Sequence, residues 1–186
     1  MTNALSAEMQ AFSKLIDMVV RLDEVPHEGR EYAFAGDSEV TDFLVEHSNV
    51  TAVANFAGKI KLRAMRGGYE AHGKLQAKVT QECVVTLDPV DDELSVDLER
   101  VYLRGEEPEP EVTSNGEVFV DLEASADNEW FEGDTIDLAD LIFEQFQLAL
   151  NPYPRKEGAE FPDAMDAADE KEPSPFAVLA KLKQSE

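Results

Sequence analysis

Apolar and polar residues alternate along most of the middle of the chain, which is the pattern of strands with one buried face. Apolar residues at 60, 62 and 64 alternate with basic ones, and a second alternating run covers residues 71–83. Gly67-Gly68 lies between the two runs, and such a pair is typical of a hairpin turn. A third run follows at residues 94–98. The pattern predicts an antiparallel meander whose apolar face needs a cover.

Residues 138–150 repeat apolar side chains at helical spacing, which predicts the helix that covers this face. Asp137 is suited to cap its first turn, and Asn151-Pro152 ends it, because a residue before proline disfavours helix. The stripe consists of Leu138, Leu141, Ile142, Phe146, Ala149 and Leu150.

The first part of the chain predicts shorter elements. A β-branched run favours a strand near residues 16–20, and residues 31–34 favour a second short strand. Asp37 or Ser38 begins a helix that runs to about His47. Residues 50–56 then form another strand that leads into the meander.

Acidic and proline-rich stretches predict the less ordered parts. Residues 105–111 form an exposed loop, and residues 117–121 a short strand. Residues 157–173 contain seven acidic residues and one basic residue, which predicts a disordered acidic linker. Residues 174–186 form a short amphipathic helix, which either docks on its own domain or binds a groove of a partner. Its candidate partner-docking residues are Phe176, Leu179 and Leu182.

Together these elements predict an α+β fold: a curved or barrel-like antiparallel sheet covered by the amphipathic helix of the C-terminal half, with a flexible acidic tail. The predicted divisions are a single domain at residues 1–156, the linker at 157–173 and the helix at 174–186.

No apolar run approaches the ~18 residues of a membrane span. The N-terminus lacks the pattern of a signal peptide, and a lone cysteine suits a reducing cytoplasm. We therefore expect a cytoplasmic protein without a membrane partner.

The net charge of the chain is its most informative bulk property with respect to possible partners. The 186 residues carry 16 Lys and Arg against 40 Asp and Glu, for a net charge of −24. A surface this acidic repels phosphate and suits a basic partner.

Six of the sixteen basic residues are nevertheless clustered along the predicted hairpin. If the two strands place them on one face, they form a local positive patch that could bind RNA or another partner. The alternative is that they only keep the outer face of the sheet soluble. The cluster consists of Lys59, Lys61, Arg63, Arg66, Lys74 and Lys78.

The chain shows no pattern of catalytic, cofactor-binding or metal-binding residues. Cys83 has no adjacent histidine, and its inward position on a strand predicts a small buried apolar group. His27, His47 and His72 lie in separate segments without the spacing of a zinc site. Phosphate-binding and dinucleotide-binding glycine motifs are missing as well. We therefore expect neither an enzyme nor a protein with a cofactor or a small-molecule substrate.

Three blocks of the sequence resemble the YceD family in its alphaproteobacterial form. The first, AHGKLQAKVTQECVVTLDPV, covers residues 71–90; the second covers residues 133–155 and includes GDTIDL and ALNPYPR; the third, PFAVLAKLK, covers residues 175–183. Members are called large ribosomal RNA subunit accumulation proteins. Many relatives carry a second cysteine three residues after the first, where this chain has Thr86, so a paired-thiol function is not implied here.

The resemblance implies a non-enzymatic factor in the biogenesis of the large ribosomal subunit, needed for its RNA to accumulate. The acidic charge favours binding of a basic ribosomal protein or an assembly intermediate, so that ribosomal RNA is contacted indirectly. The alternative is direct RNA binding through the basic hairpin face at residues 59–78.

Overall fold

The computed structural model describes residues 2–106 and 128–159. Within these ranges the elements are α1 (Thr2–Ile16), β1 (Val19–Arg21), a 3-10 turn (Leu22–Glu24), β2 (Arg30–Ala35), α2 (Ser38–His47), β3 (Ala52–Met65), β4 (Gly68–Glu82), β5 (Pro89–Arg104), β6 (Asn128–Phe131), β7 (Thr135–Asp137) and α3 (Leu138–Ala149).

The predicted meander is confirmed, and it forms the centre of a five-stranded sheet in the order β2-β3-β4-β5-β6. β3 and β4 form the hairpin, with Met65 opposite Gly68 at its turn. Gly67 has a φ of 92°, a conformation that glycine adopts at little cost, which is why this pair closes the turn. The strand expected at residues 50–56 is the start of β3, which continues to Met65 across a bulge between Ala54 and Ala57.

The sheet is not closed into a barrel, so the barrel-like alternative of the predicted curved or barrel-like sheet is wrong. β2 and β6 are its two edges, and β6 runs parallel to β5 while the other neighbours are antiparallel. Small residues occupy the centre of its inner face, namely Gly58, Ala71, Gly73 and Ala77. Because Gly58 and Gly73 lack side chains, the Phe34 ring of β2 and the Ile60 side chain of β3 lie directly against them, and helices cover the rest of this face.

The N-terminal segment forms a helix that the sequence prediction missed. α1 runs to Ile16, so the strand expected at residues 16–20 is wrong in extent, and only Val19–Arg21 is extended. Phe12 is fully buried, and its ring centroid lies 5.1 Å from that of Phe143 on α3. The packing of the helical face that contains Phe12 stabilises the helix as far as Ile16. This outweighs the weak β propensity on which the predicted strand at residues 16–20 was based.

The helical cover is confirmed. α3 extends from Leu138 to Ala149, and the Ala139 N–H donates to the Asp137 carboxylate at 2.9 Å, as the capping pattern predicts. α2 begins as predicted, with the Val40 N–H donating to Asp37 at 3.0 Å. Phe146 and other apolar residues of α3 are buried against the sheet, with α1 and α2 completing the layer.

Several predictions concern residues outside the described ranges. They are most of the loop at residues 105–111, the strand at 117–121, the linker at 157–173 beyond residue 159, and the helix at 174–186 with Phe176, Leu179 and Leu182. In the described part of the chain, no helix has both the length and the apolar character needed to cross a bilayer.

Candidate interaction surface

The outer face of the sheet collects the basic residues that the sequence singles out. Strand register places Lys59 opposite Lys74 across β3 and β4, so side chains at alternate positions of both strands share this face. Arg66 lies in the turn that joins the two strands. We call the set the basic strip; it consists of Lys59, Lys61, Arg63, Arg66, Lys74 and Lys78.

Most of the basic strip is paired with carboxylates. Lys59 reaches Glu31 on β2, Arg63 reaches Glu70 on β4, and the two lysines of β4 reach β5. The N–O distances are 2.8 Å for Lys59–Glu31, 3.3 Å for Lys74–Asp97 and 2.5 Å for Lys78–Glu93. Within residues 2–106 and 128–159, Lys61 and Arg66 form no ion pair.

An acidic strip runs beside the basic strip, and the sequence analysis did not anticipate it. It is formed by the outward residues of β5, which lie opposite the outward residues of β4. The side chains of Glu93, Asp97 and Glu99 are 76 %, 73 % and 70 % exposed. The strip consists of Asp91, Glu93, Asp97 and Glu99. Its signal in the sequence was the alternation of acidic residues along the third run of the meander.

Ion pairing favours the charged forms of Lys59, Lys78 and Glu93. The hydrogen bond from Lys78 lowers the pKa of the Glu93 carboxyl, and the same pair raises the pKa of Lys78. Glu31 likewise raises the pKa of Lys59. All these groups are therefore charged at neutral pH. A ligand phosphate at the basic strip competes with carboxylates that are already in place.

A shallow recess of about 490 Å³ opens beside the acidic strip. Its floor contains Ala52 and Ala54, and its wall contains Asp91 and Glu93 together with Thr80. The Thr80 hydroxyl donates to the Asp91 carboxylate at 2.7 Å. Lys78 lines the recess as well and pairs with Glu93, whereas Asp91 forms no ion pair within the described residues, so the recess leaves the Asp91 carboxylate for a basic side chain of a partner.

A second charged cluster lies at the inner face of the sheet and centres on Arg100. Its guanidinium is 14 % exposed and pairs with Glu129 on β6 at 3.0 Å and with Glu144 on α3. The Tyr102 hydroxyl beside it is buried and forms no hydrogen bond with the described residues. Burial and the charge of Asp137 raise the pKa of nearby Asp140 to about 6. Arg100 stands at an inward position of β5, and that interruption of the apolar pattern was the sequence signal for this cluster.

Cys83 is buried, as predicted, but it lies one residue beyond β4 rather than on the strand. Its surroundings are polar: the Lys156 N–H donates to the sulfur at 3.4 Å, and Thr86 donates as well. These hydrogen bonds lower the pKa of the Cys83 thiol to about 6. Among the described residues, no three His, Cys, Asp or Glu side chains are placed to hold a metal ion.

Comparison with known proteins identifies a family that matches this chain. The model of the family described as large ribosomal RNA subunit accumulation protein YceD matches residues 71–183. The match begins in β4 and includes β5 with the acidic strip, α3 and the C-terminal residues. No curated protein and no solved structure matches the chain.

Proposed function

We propose that this chain, which belongs to the YceD family of large ribosomal RNA subunit accumulation proteins, binds a basic ribosomal protein or an assembly intermediate that contains one. The family name implies a role in the accumulation of large-subunit ribosomal RNA. In our proposal that role is not enzymatic and is carried out in the cytoplasm. Holding a basic ribosomal protein in a soluble state until it meets its RNA would promote accumulation of that RNA.

The acidic strip is the observation that carries this proposal. It presents four carboxylates at outward positions of β5; Glu93 and Asp97 are paired with Lys78 and Lys74 but stay 76 % and 73 % exposed, and the whole chain has a net charge of −24. Complementary charge steers a basic partner to such a surface and raises its rate of association. The recess supports the same assignment, since its Asp91 carboxylate forms no ion pair within the described residues and can pair with a basic side chain of a partner.

Direct RNA binding is the second candidate, and Lys61 and Arg66 favour it. Both are exposed, and neither forms an ion pair within the described residues. The other four residues of the basic strip are paired, so a phosphate must displace a carboxylate to reach them. Sequence-independent affinity for RNA depends on the number of phosphates neutralised, which makes two free cations a small basis for binding.

Neutralising variants test the two candidates separately. One variant replaces the acidic strip by Glu93→Gln, Asp97→Asn and Glu99→Gln; another replaces the unpaired cations by Lys61→Gln and Arg66→Gln. A matched control makes the same change of charge on the exposed face of α2, by Glu39→Gln, Asp42→Asn and Glu46→Gln. The probes are total protein extracted from large ribosomal subunits and a transcript of large-subunit ribosomal RNA.

We expect the acidic-strip variant to bind the ribosomal proteins at least about tenfold more weakly, since each exposed charge contributes about 0.5–1 kcal/mol. The α2 control should lose much less, and the Lys61/Arg66 variant should bind these proteins as well as the natural chain. If only the Lys61/Arg66 variant loses binding, and the lost ligand is the RNA, the basic strip is the site and the proposal is wrong. Circular dichroism shows that each variant is folded.

A further inference from the structure

Large apolar side chains are exposed at the end of the molecule where β4 and α3 finish. Leu87, Leu148 and Tyr153 are 71 %, 70 % and 73 % exposed, the highest values for large apolar residues in the described part of the chain. Val84 adds a fourth exposed side chain at 42 %. We call Val84, Leu87 and Tyr153 the end patch, because the hydrogen bond from the Val84 N–H to the Pro154 carbonyl brings their two segments together. Apolar residues gathered in this way mark a surface that another apolar group covers.

The end patch has a defined and rigid base. The Val84 N–H donates to the Pro154 carbonyl at 2.9 Å, which joins the turn after β4 to the segment after α3. Lys156 strengthens the same junction, since its ammonium pairs with Asp88 at 3.1 Å. Gln81 donates to the carbonyl of Asn151 at 3.0 Å and anchors the chain between Leu148 and Tyr153. A preformed surface of this kind loses little conformational entropy when it is covered.

We propose that residues 174–183 of this chain dock on the end patch within the same molecule. Their sequence predicts an amphipathic helix whose apolar face presents Phe176, Leu179 and Leu182. The end patch is apolar and exposed, and this apolar helix face is the kind of surface that would cover it. Docking would cover the exposed apolar side chains without a second protein.

The connection has the length that docking requires. The described chain ends at Ala159, three residues beyond Lys156 at the border of the end patch. About 16 residues then lead to Pro175, and a flexible chain of that length spans roughly 20–25 Å on average and can extend to about 50 Å. The tether is therefore long enough for the segment to turn back. A tether of this length holds the segment at a local concentration in the millimolar range.

The acidic composition of the tether agrees with this arrangement. Residues 157–173 contain seven acidic residues and one basic residue, and their only large apolar side chains are Phe161 and Met165, a composition that favours an extended tether. Residues 175–183 regain apolar side chains, and the family match extends to residue 183. The end patch and the apolar tail segment both lie within the residues that the family model matches.

Hydrogen exchange of the full chain, followed by mass spectrometry, tests the proposal. With a local concentration of about 1 mM and a weak intrinsic Kd of about 0.1 mM, amides of residues 176–183 should be protected about tenfold. A patch variant, Leu87→Asn with Tyr153→Ser, should abolish this protection. A matched control, Met65→Gln, removes an exposed apolar side chain at the hairpin turn and should leave it unchanged.

The reciprocal variant completes the test. Phe176→Ser with Leu179→Ser should increase exchange in the turn at residues 84–87, whereas Lys181→Gln, on the predicted polar side of the segment, should not. Exchange is compared at about 1 and 100 μM protein, because contact within one molecule does not depend on concentration. The proposal is overturned if residues 176–183 exchange without protection, if their protection survives in the patch variant, or if it appears only at the higher concentration, which would indicate a second copy as the occupant.

Discussion

Arg100 points to the inner face of β5, where its neighbours in the alternating pattern are Leu98 and Tyr102. A guanidinium that is partly removed from water is costly to desolvate, and here Glu129 and Glu144 compensate that cost. The two carboxylates come from β6 and α3, so one side chain ties an edge strand and a helix to the sheet. The arrangement also gathers negative charge, and Asp140 lies close enough to be affected by it.

Asp140 should make the protein less stable as the pH rises. Burial and the nearby charge of Asp137 raise its pKa to about 6 from an ordinary value of 3.8, so the folded protein disfavours the ionised form. The folded state then binds more protons than the unfolded state between about pH 4 and 6, and stability contributed by this group falls across that window as pH increases.

The variant Asp140→Asn should therefore be more stable than the natural protein at pH 7.5, by about 1 kcal/mol, because Asp140 is only partly buried and solvent screens part of the effect. The difference should disappear near pH 4. Urea unfolding at both values measures it. An equal difference at the two pH values would show that the carboxyl titrates normally and that the substitution acts through another contact.

Cys83 should titrate far below an ordinary thiol. The Lys156 N–H and the Thr86 hydroxyl stabilise the thiolate and lower its pKa to about 6. Absorbance at 240 nm between pH 4.5 and 10, with Cys83→Ala as the blank, should show a midpoint near 6. Thr86→Val removes one donor and should move the midpoint upward. A midpoint near 9 in the natural protein would mean that these hydrogen bonds do not form in solution.

At the scale of elements, α1 decides how the helical layer is assembled. Phe12 contacts the rings of Phe43 on α2, Phe56 on β3 and Phe143 on α3, with centroid separations of 5.7, 6.4 and 5.1 Å. The Ser13 hydroxyl donates to Asp137, the residue that caps α3. A single turn of α1 thus contacts both other helices and the sheet.

Phe12→Ala should destabilise the fold by about 3–5 kcal/mol, the cost of a large cavity where a buried ring is removed. Gln10→Ala, on the exposed side of the same helix, should change stability by less than about 0.5 kcal/mol. Chemical denaturation of both variants measures the difference. A loss below about 1 kcal/mol for Phe12→Ala would indicate that α1 is not part of the cooperative core.

At the scale of the whole molecule, charge is distributed very unevenly. Acidic residues outnumber basic ones by 40 to 16, yet several of the basic residues are concentrated on β3 and β4 and are paired with acidic neighbours. The remaining acidic residues repel one another across the surface. Such self-repulsion keeps a protein soluble and at the same time opposes its compact state.

Salt should therefore stabilise this protein. Raising NaCl from about 10 to 300 mM shortens the Debye length from roughly 30 Å to below 10 Å and screens the repulsion. Exposed ion pairs weaken as well, but each contributes only about 0–1 kcal/mol, so the excess of negative charge decides the sign. We expect Tm to rise by several degrees, measured with chloride because sulfate stabilises proteins by another route. A fall in Tm would show that the ion pairs outweigh the repulsion.

Local sequence patterns were sufficient to predict elements that are formed by contacts between residues close in sequence. The alternation on both sides of Gly67-Gly68 predicted the hairpin, and the apolar stripe after Asp137 predicted α3 with its cap. The same alternation placed the basic residues of β3 and β4 each on one face. The three sequence blocks also identified the family.

Only the tertiary structure decided what covers each face and which charges meet. Alternation shows that a strand has a buried side, but it does not show where the sheet ends or every element that covers it, so the sequence left open whether the sheet closes, and α1 was missed. Lys59 and Glu31 are 28 residues apart, and Arg100 and Glu144 are 44 apart. The local charge of a surface depends on which distant residues lie beside it. The sequence therefore predicted a positive patch, whereas the fold forms a strip of ion-paired basic residues beside an acidic strip.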